Sequence, residues 1–172
     1  VKADAYGHGA VEVSRMAERI GVDWLGVATV PEGLELRRAG IRLPILKLSP
    51  LFPEEMGEAF AAGIAIAVCE GSNIDAAQRA CAGLGLVGQG HLKVDTGRGR
   101  IGVRAEGAPA LAAHIERDCP NLSLQGVFTH LPVSDERDPS YTRGQIGRFK
   151  AVVESVNASI GRKVELAHCS NS

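Results

Sequence analysis

A lysine stands one residue into the chain, in Val1-Lys2-Ala3-Asp4-Ala5-Tyr6-Gly7-His8-Gly9, between an apolar stub and a glycine-bracketed turn. A lysine amine can condense with a carbonyl cofactor to give a Schiff base, and such a lysine belongs at the end of a rigid element that fixes its geometry. Three more polar segments each follow an apolar run: Asp95-Thr96-Gly97-Arg98-Gly99-Arg100, then His130, then His168-Cys169-Ser170-Asn171-Ser172. Each alone reads as solvated loop. Lys93 differs, because it lies inside an apolar run seven residues before Arg100, and a lone buried cation is costly. Its stem could pack inward while the amine reaches the rim of the fold.

Other constellations are weaker. Asp95-Thr96-Gly97 is the aspartic protease triplet, but it occurs once, and those enzymes are all-β. His130, His168, Cys169 and Asp135 lack the short spacing of metal ligands, and adjacent His168 and Cys169 would diverge on a strand, so no metal is expected. His8 shapes the glycine turn, and the lone His91 and His114 need no function. Cys69, Cys81, Cys119 and Cys169 are far apart, which reads as mostly buried, reduced thiols.

The elements that must position these residues alternate along the chain. Apolar runs recur at 24–28, 44–48, 64–69, 91–94, 124–129 and 164–167, each suited to a fully buried strand. Helical spacing lies between them. Ile146, Phe149, Val153, Val156 and Ile160 step by three and four, with Asp138 as N-cap, Pro139 at the first helical position and Gly161 as the stop. Pro31 and Gly40 bracket one earlier helix, and Pro53 and Gly63 another that carries Met56 and Phe60.

Strand then helix, repeated, demands parallel strands. Counting Val1 as the end of a first strand gives seven, one short of a (β/α)8 TIM-type barrel, which typically takes about 250 residues. The chain is therefore expected to be α/β, a barrel truncated at both ends that runs from the end of strand one through strand seven. An open doubly wound sheet remains the alternative, since periodicity does not reveal strand order. In either case the carboxyl ends of the strands carry the chemistry, and Lys2, Arg100, His130 and the 168–172 segment would meet on one rim.

Composition sets outer bounds. The 172 residues are 45% hydrophobic and 23% charged with a net charge of −1, which suits an ordinary globular domain and favours neither nucleic acid nor an anionic membrane. No apolar run approaches the ~20 residues needed to cross a bilayer, and no leader pattern appears, so a cytoplasmic location is expected.

Four segments also carry a family resemblance. VKADAYGHGA at the start, HLKVDTGRGRIGV over 91–103, GVFTHLPVSD over 126–135 and HCSNS at the end resemble the alanine racemase family, in the same order and at comparable spacing. The resemblance implies a partial barrel domain over 1–172 that binds pyridoxal 5′-phosphate. Lys2 would hold that cofactor as an aldimine and, once freed by the incoming amino acid, act as acid and base on one face of its α-carbon. Tyr6 would donate to the cofactor phosphate, with Asn171 and Ser172 completing the cradle. Arg100 would lie near the cofactor's phenolic oxygen and the substrate carboxylate, and His130 would support the ring side. Lys93 matches a lysine that is carbamylated in many relatives, where the resulting anion orients the arginine.

The resemblance also implies what lies elsewhere. Inverting the α-carbon takes a second base opposite Lys2, which the family supplies as a tyrosine from a carboxy-terminal β-rich domain of the partner subunit. That domain, strand eight and the arginine facing the pyridine nitrogen are not in this sequence, so the 172 residues alone are expected to be inactive. Tyr141, at a helix start, matches no catalytic motif. The whole protein is expected to be a homodimer that interconverts L- and D-alanine for cell-wall peptidoglycan. Two alternatives stand beside this: a racemase of another amino acid such as serine, and a non-catalytic carrier of the cofactor on the same barrel.

Overall fold

The computed structural model describes residues 1–171. Its strands are β1 (Leu25–Val27), β2 (Ile45–Lys47), β3 (Ile64–Val68), β4 (Gly88–Asp95), β5 (Val103–Arg104), β6 (Leu122–His130) and β7 (Leu166–Ser170). All pairings are parallel, in the order β1-β2-β3-β4-β6-β7, while the two-residue β5 hangs on the end of β4. Each wall strand thus lies beside the next wall strand in sequence. A doubly wound sheet reverses direction at a switch point, so this order excludes it and leaves a curled, half-closed barrel.

Helices α2 (Ala10–Arg19), α3 (Val30–Arg38), α4 (Pro53–Ala61), α5 (Gly71–Leu84), α6 (Ala108–Asp118) and α7 (Ser140–Ile160) alternate with the strands, and α1 (Lys2–Gly7) precedes them. The main core, with Ile45, Ile64, Ile66, Leu92 and Val127, joins the outward strand residues to Leu36, Met56, Phe60, Ile74 and Phe149 of the helices. Leu46, Ala65, Ala67 and Phe128 form a smaller cluster with Trp24 and Leu48. On β2, β3 and β6 these alternate with the main-core residues, and the two clusters are the two faces of the curled sheet.

The ends of the helices follow their punctuation. Thr29 accepts from the Glu32 amide while the Glu32 carboxylate accepts from the Thr29 amide, a capping box that starts α3. Met56 and Phe60 are buried on α4, and Gly161 closes α7 in the left-handed region.

Three expectations need correction. Val1 is not in a strand. Its nitrogen donates to the Gly26 carbonyl, so the stub hangs on β1, and the wall among the described residues has six strands, with β5 outside it. Asp138 caps α7 through the Ser140 amide and hydroxyl, which puts Pro139 just before the helix instead of inside it. The inner face of α7 buries Gln145, Phe149, Val152 and Val156, while Ile146, Val153 and Ile160 are half-buried, because the helix turns Gln145 toward hydrogen-bond partners below.

Cys81 and Cys119 are buried, Cys69 and Cys169 half-buried, and all four are free thiols. Among the described residues no helix is long and apolar enough to cross a membrane.

Candidate active site

The backbone of the lysine turn runs left-handed. Ala3, Asp4, Ala5 and Tyr6 have φ between 50° and 57°, a region that costs an ordinary L-residue about 1–2 kcal/mol. Four in a row persist only where the surroundings over-determine them. Asp4 accepts from the Ala10 amide at 2.7 Å, and Glu32 accepts from the Ala3 amide at 2.9 Å with one oxygen and from the Ala28 amide at 2.7 Å with the other. The carboxylate that caps α3 therefore also pins the residue after Lys2. The lysine Nζ sits 5.7 Å from the centroid of the Tyr6 ring, on the same turn.

The segment that carries Arg100 is tied from within. Asp95 accepts from the amides of Gly97 at 2.8 Å and Arg100 at 3.1 Å. Partial burial pushes the Asp95 carboxyl up, but the backbone N–H groups of Gly97, Gly99, Arg98 and Arg100 outweigh it and hold it below its usual value. Glycine is required at Gly102, where φ is +140° and a Cβ would stand 2.5 Å from the Asp95 nitrogen.

These pieces surround one cavity of about 700 Å³ at the carboxyl ends of the strands, lined by Lys2, Tyr6, Lys93, Arg100, His130 and Asn171, among others. The structure thus brings together every site residue expected from the sequence except Ser172, which lies outside the described residues. Two lysines and an arginine line the cavity, and none of its described lining residues is Asp or Glu. That imbalance suits an anionic occupant: the phosphate, phenolic oxygen and carboxylate groups of a pyridoxal phosphate–amino acid pair fit this donor set. Ser134 donates to the Asn171 side-chain oxygen at 2.8 Å and so orients that amide beside the cavity.

Lys93 points into the cavity wall, but its amine does not escape to the rim. It is only 5% exposed, its Nζ donates to the Leu48 carbonyl at 2.7 Å, and it lies 5.1 Å from the Phe128 ring centroid. Burial, then Arg100 and more weakly Lys47 and Lys2, lowers its pKa to about 8. Burial and the neighbouring Arg98, Arg100, Lys93 and Lys2 also push the His130 imidazole below its usual value. Neutral histidine is favoured there.

Beneath Lys93 lies a packed ring layer. His91 is buried with its Nδ1 3.3 Å from His168 Nε2, its ring edge-on to Trp24, and its pKa lowered to about 4 by burial and then His168. Gly126 makes room for it, since a Cβ there would meet His91 Nδ1 at 2.6 Å. His168 stacks on Phe128. His168, expected on the rim, lines the cavity, and His91, read as a lone histidine without function, packs against it.

Asp75 on α5, His114 on α6 and Cys119 just past the end of α6 come within ligand distance of one another, away from this cavity. Both ring nitrogens of His114 are engaged there, by Asp75 at 2.8 Å and Asp118 at 2.9 Å, which is the arrangement of an ion-paired histidine. Sequence reasoning missed Glu32 and Asp4. The T-x-x-E spacing of Thr29 and Glu32 could have pointed to the first, but the second depends on a backbone fold that ordinary residues do not announce.

The model of the alanine racemase N-terminal domain matches residues 1–172. The alanine racemase of Cutibacterium acnes is 46% identical over 174 residues, covering all of this chain and 46% of that protein. That of Desulfovibrio desulfuricans is 41% identical over 172 residues, with the same coverage. Among solved structures, alanine racemase of Clostridium difficile 630 in complex with cycloserine superposes with a TM-score of 0.95 at 35% identity, over 100% of this chain and 47% of that one. Bacillus anthracis alanine racemase with bound L-Ala-P gives 0.89 at 34%, over 100% and 44%. The chain spans about half the length of the relatives it matches. With its whole length matched and its half-barrel superposed on solved members, this chain belongs to the alanine racemase family, as part of the N-terminal domain.

Proposed function

We propose that residues 1–172 are a partial pyridoxal phosphate-binding barrel domain, and that the whole protein interconverts L- and D-alanine. The observation that carries this reading is the cavity that gathers Lys2, Tyr6, Lys93, Arg100, His130 and Asn171 with no Asp or Glu among its described lining residues, in a chain of this family. When bound, the cofactor supplies an electron sink that acidifies the substrate's α-proton. The roles of the chain's own residues follow from where they stand. Lys2 holds the cofactor covalently and, once released, moves a proton at one face of the α-carbon. Its left-handed turn keeps the amine in one place, which such a transfer requires.

Tyr6 and Asn171, with Ser172, bind phosphate. Arg100 binds the substrate carboxylate and lowers the cost of charge near the phenolic oxygen. His130, kept neutral by burial and by the cations around it, supports the ring side. Lys93 is the proposed carbamate: a buried amine with a pKa of about 8 is readily neutral, and adding carbon dioxide to it with loss of a proton turns a repelled cation into an anion facing Arg100. One amine serves one face, so the second base comes from another part of the protein, and with it the homodimer. The enzyme would act in the cytoplasm and supply D-alanine for peptidoglycan.

The test is to express the full reading frame and follow loss of optical purity of L-alanine for the wild type and for Lys2→Ala. The wild type should racemise alanine, and the variant should lose both turnover and borohydride-trappable cofactor. A wild type that loads cofactor yet leaves alanine and serine untouched would favour the carrier reading.

A further inference from the structure

Helix α7 presents Tyr141, Gln145 and Arg148 on one face, four and three residues apart, over the outer side of the Arg100 segment. The Tyr141 hydroxyl donates to the Gly97 carbonyl. Arg148 Nε donates to the Thr96 carbonyl at 2.8 Å. Gln145 Nε2 reaches Thr96 Oγ1 at 3.3 Å and the His130 carbonyl at 3.4 Å. The hydroxyl of Thr129 donates to the Val94 carbonyl at 2.8 Å, and so must accept from Thr96 Oγ1 at 2.8 Å. The result is a directed chain, Gln145 to Thr96 to Thr129 to Val94, that ties α7 to the ends of β4 and β6. Those two ends carry Arg100 and His130.

Gln145 is a poor choice for packing alone. It is fully buried, the other buried residues of α7 being Phe149, Val152 and Val156, and its Oε1 has no hydrogen-bond partner among the described residues. A leucine of similar size would pack there without an unsatisfied oxygen. Gly97 adds a steric limit, since a Cβ at its φ of +141° would stand 2.7 Å from the Tyr141 oxygen.

We propose that Tyr141, Gln145 and Arg148 form a positioning clamp that sets where Arg100 and His130 stand in the cavity. The clamp rests on the proposed racemase for its consequence, but its grip on the Arg100 segment can be measured separately. None of the three side chains lines the cavity. They act through Thr96, Gly97 and the His130 backbone.

The full-length protein is made as wild type, Gln145→Leu, Tyr141→Phe and Arg148→Lys. Gln145→Leu should keep or raise the melting temperature and keep cofactor absorbance, while kcat falls about tenfold or more, as misplacement by a fraction of an ångström does. A merely structural glutamine would lower both together, and that result would overturn the clamp. Tyr141 is 45% exposed, so Tyr141→Phe keeps the question answerable should Gln145→Leu not fold. Amide exchange at Gly97 and Arg100 should quicken at least about tenfold in each variant while Leu92 stays protected. Unchanged exchange overturns the clamp whatever the enzyme does, and quickened exchange with unchanged kcat overturns its positioning role. An inactive wild type would sink the racemase reading alone, leaving exchange to judge the clamp.

Discussion

Lys93 holds an amine where burial and neighbouring cations both oppose its charge. Its inward direction was legible in sequence, because Leu92 and Val94 on either side must face the helices. The resting place of its amine was not, since that depends on the Leu48 carbonyl, 45 residues away in sequence. Between pH 8 and its usual 10.5 the unfolded chain binds a proton that the folded chain has released. Stability therefore climbs with pH across that window, and below it the burial penalty is present in full. Lys93→Met should stabilise the full-length protein by about 1–3 kcal/mol at pH 7 in buffer free of carbon dioxide. Denaturant midpoints from pH 7 to 10 would check this, with the rise in midpoint expected in the wild type and flattened in the variant. The variant should also lack the carbamate carbon resonance expected of the wild type in labelled bicarbonate, and an equal pH slope in both proteins would rule out Lys93 as its source.

At the scale of elements, helix boundaries were the most readable part, because Pro31, Gly40, Pro53, Gly63 and Gly161 act through local backbone rules. The left-handed run was invisible: Ala3 to Tyr6 are ordinary residues whose intrinsic preference is the opposite hand, so only distant partners could impose it. The same blindness made Val1 look like a strand end. Glu32 is the partner that matters most, since it joins the lysine turn, the Ala28 amide and the α3 cap through one carboxylate. Glu32→Ala should cost about 1–2 kcal/mol from the lost cap and unpaired amides. It should also loosen Lys2, so that borohydride-trapped cofactor falls further than the melting temperature predicts. Loss of stability with full trapping would mean the turn holds its hand without Glu32.

Across the whole molecule, parallel strands laid down in sequence order put every strand end on one side. Four separate polar segments could thus be read as one site before any contact was known. Strand order itself was not readable from periodicity, and it decided between the barrel and the doubly wound sheet. Conversely, α7's grip on the Arg100 segment crosses from Tyr141 to Gly97, a pairing that only the closed arrangement of layers creates.

The carboxylate-free cavity bears on speed as well as affinity. Lys2 and Arg100 line the cavity with no Asp or Glu among its described lining residues, and such an excess of positive charge attracts anions before contact. Loading of apoprotein by pyridoxal phosphate should be steered, slowing as ionic strength rises because the attraction is screened over about 10 Å at 0.1 M salt. Stopped-flow rates would measure it, and uncharged pyridoxal should lack the salt dependence. Inorganic phosphate in a storage buffer should then occupy the cavity as a competitor, so the choice of buffer anion decides how quickly the apoprotein can be revived.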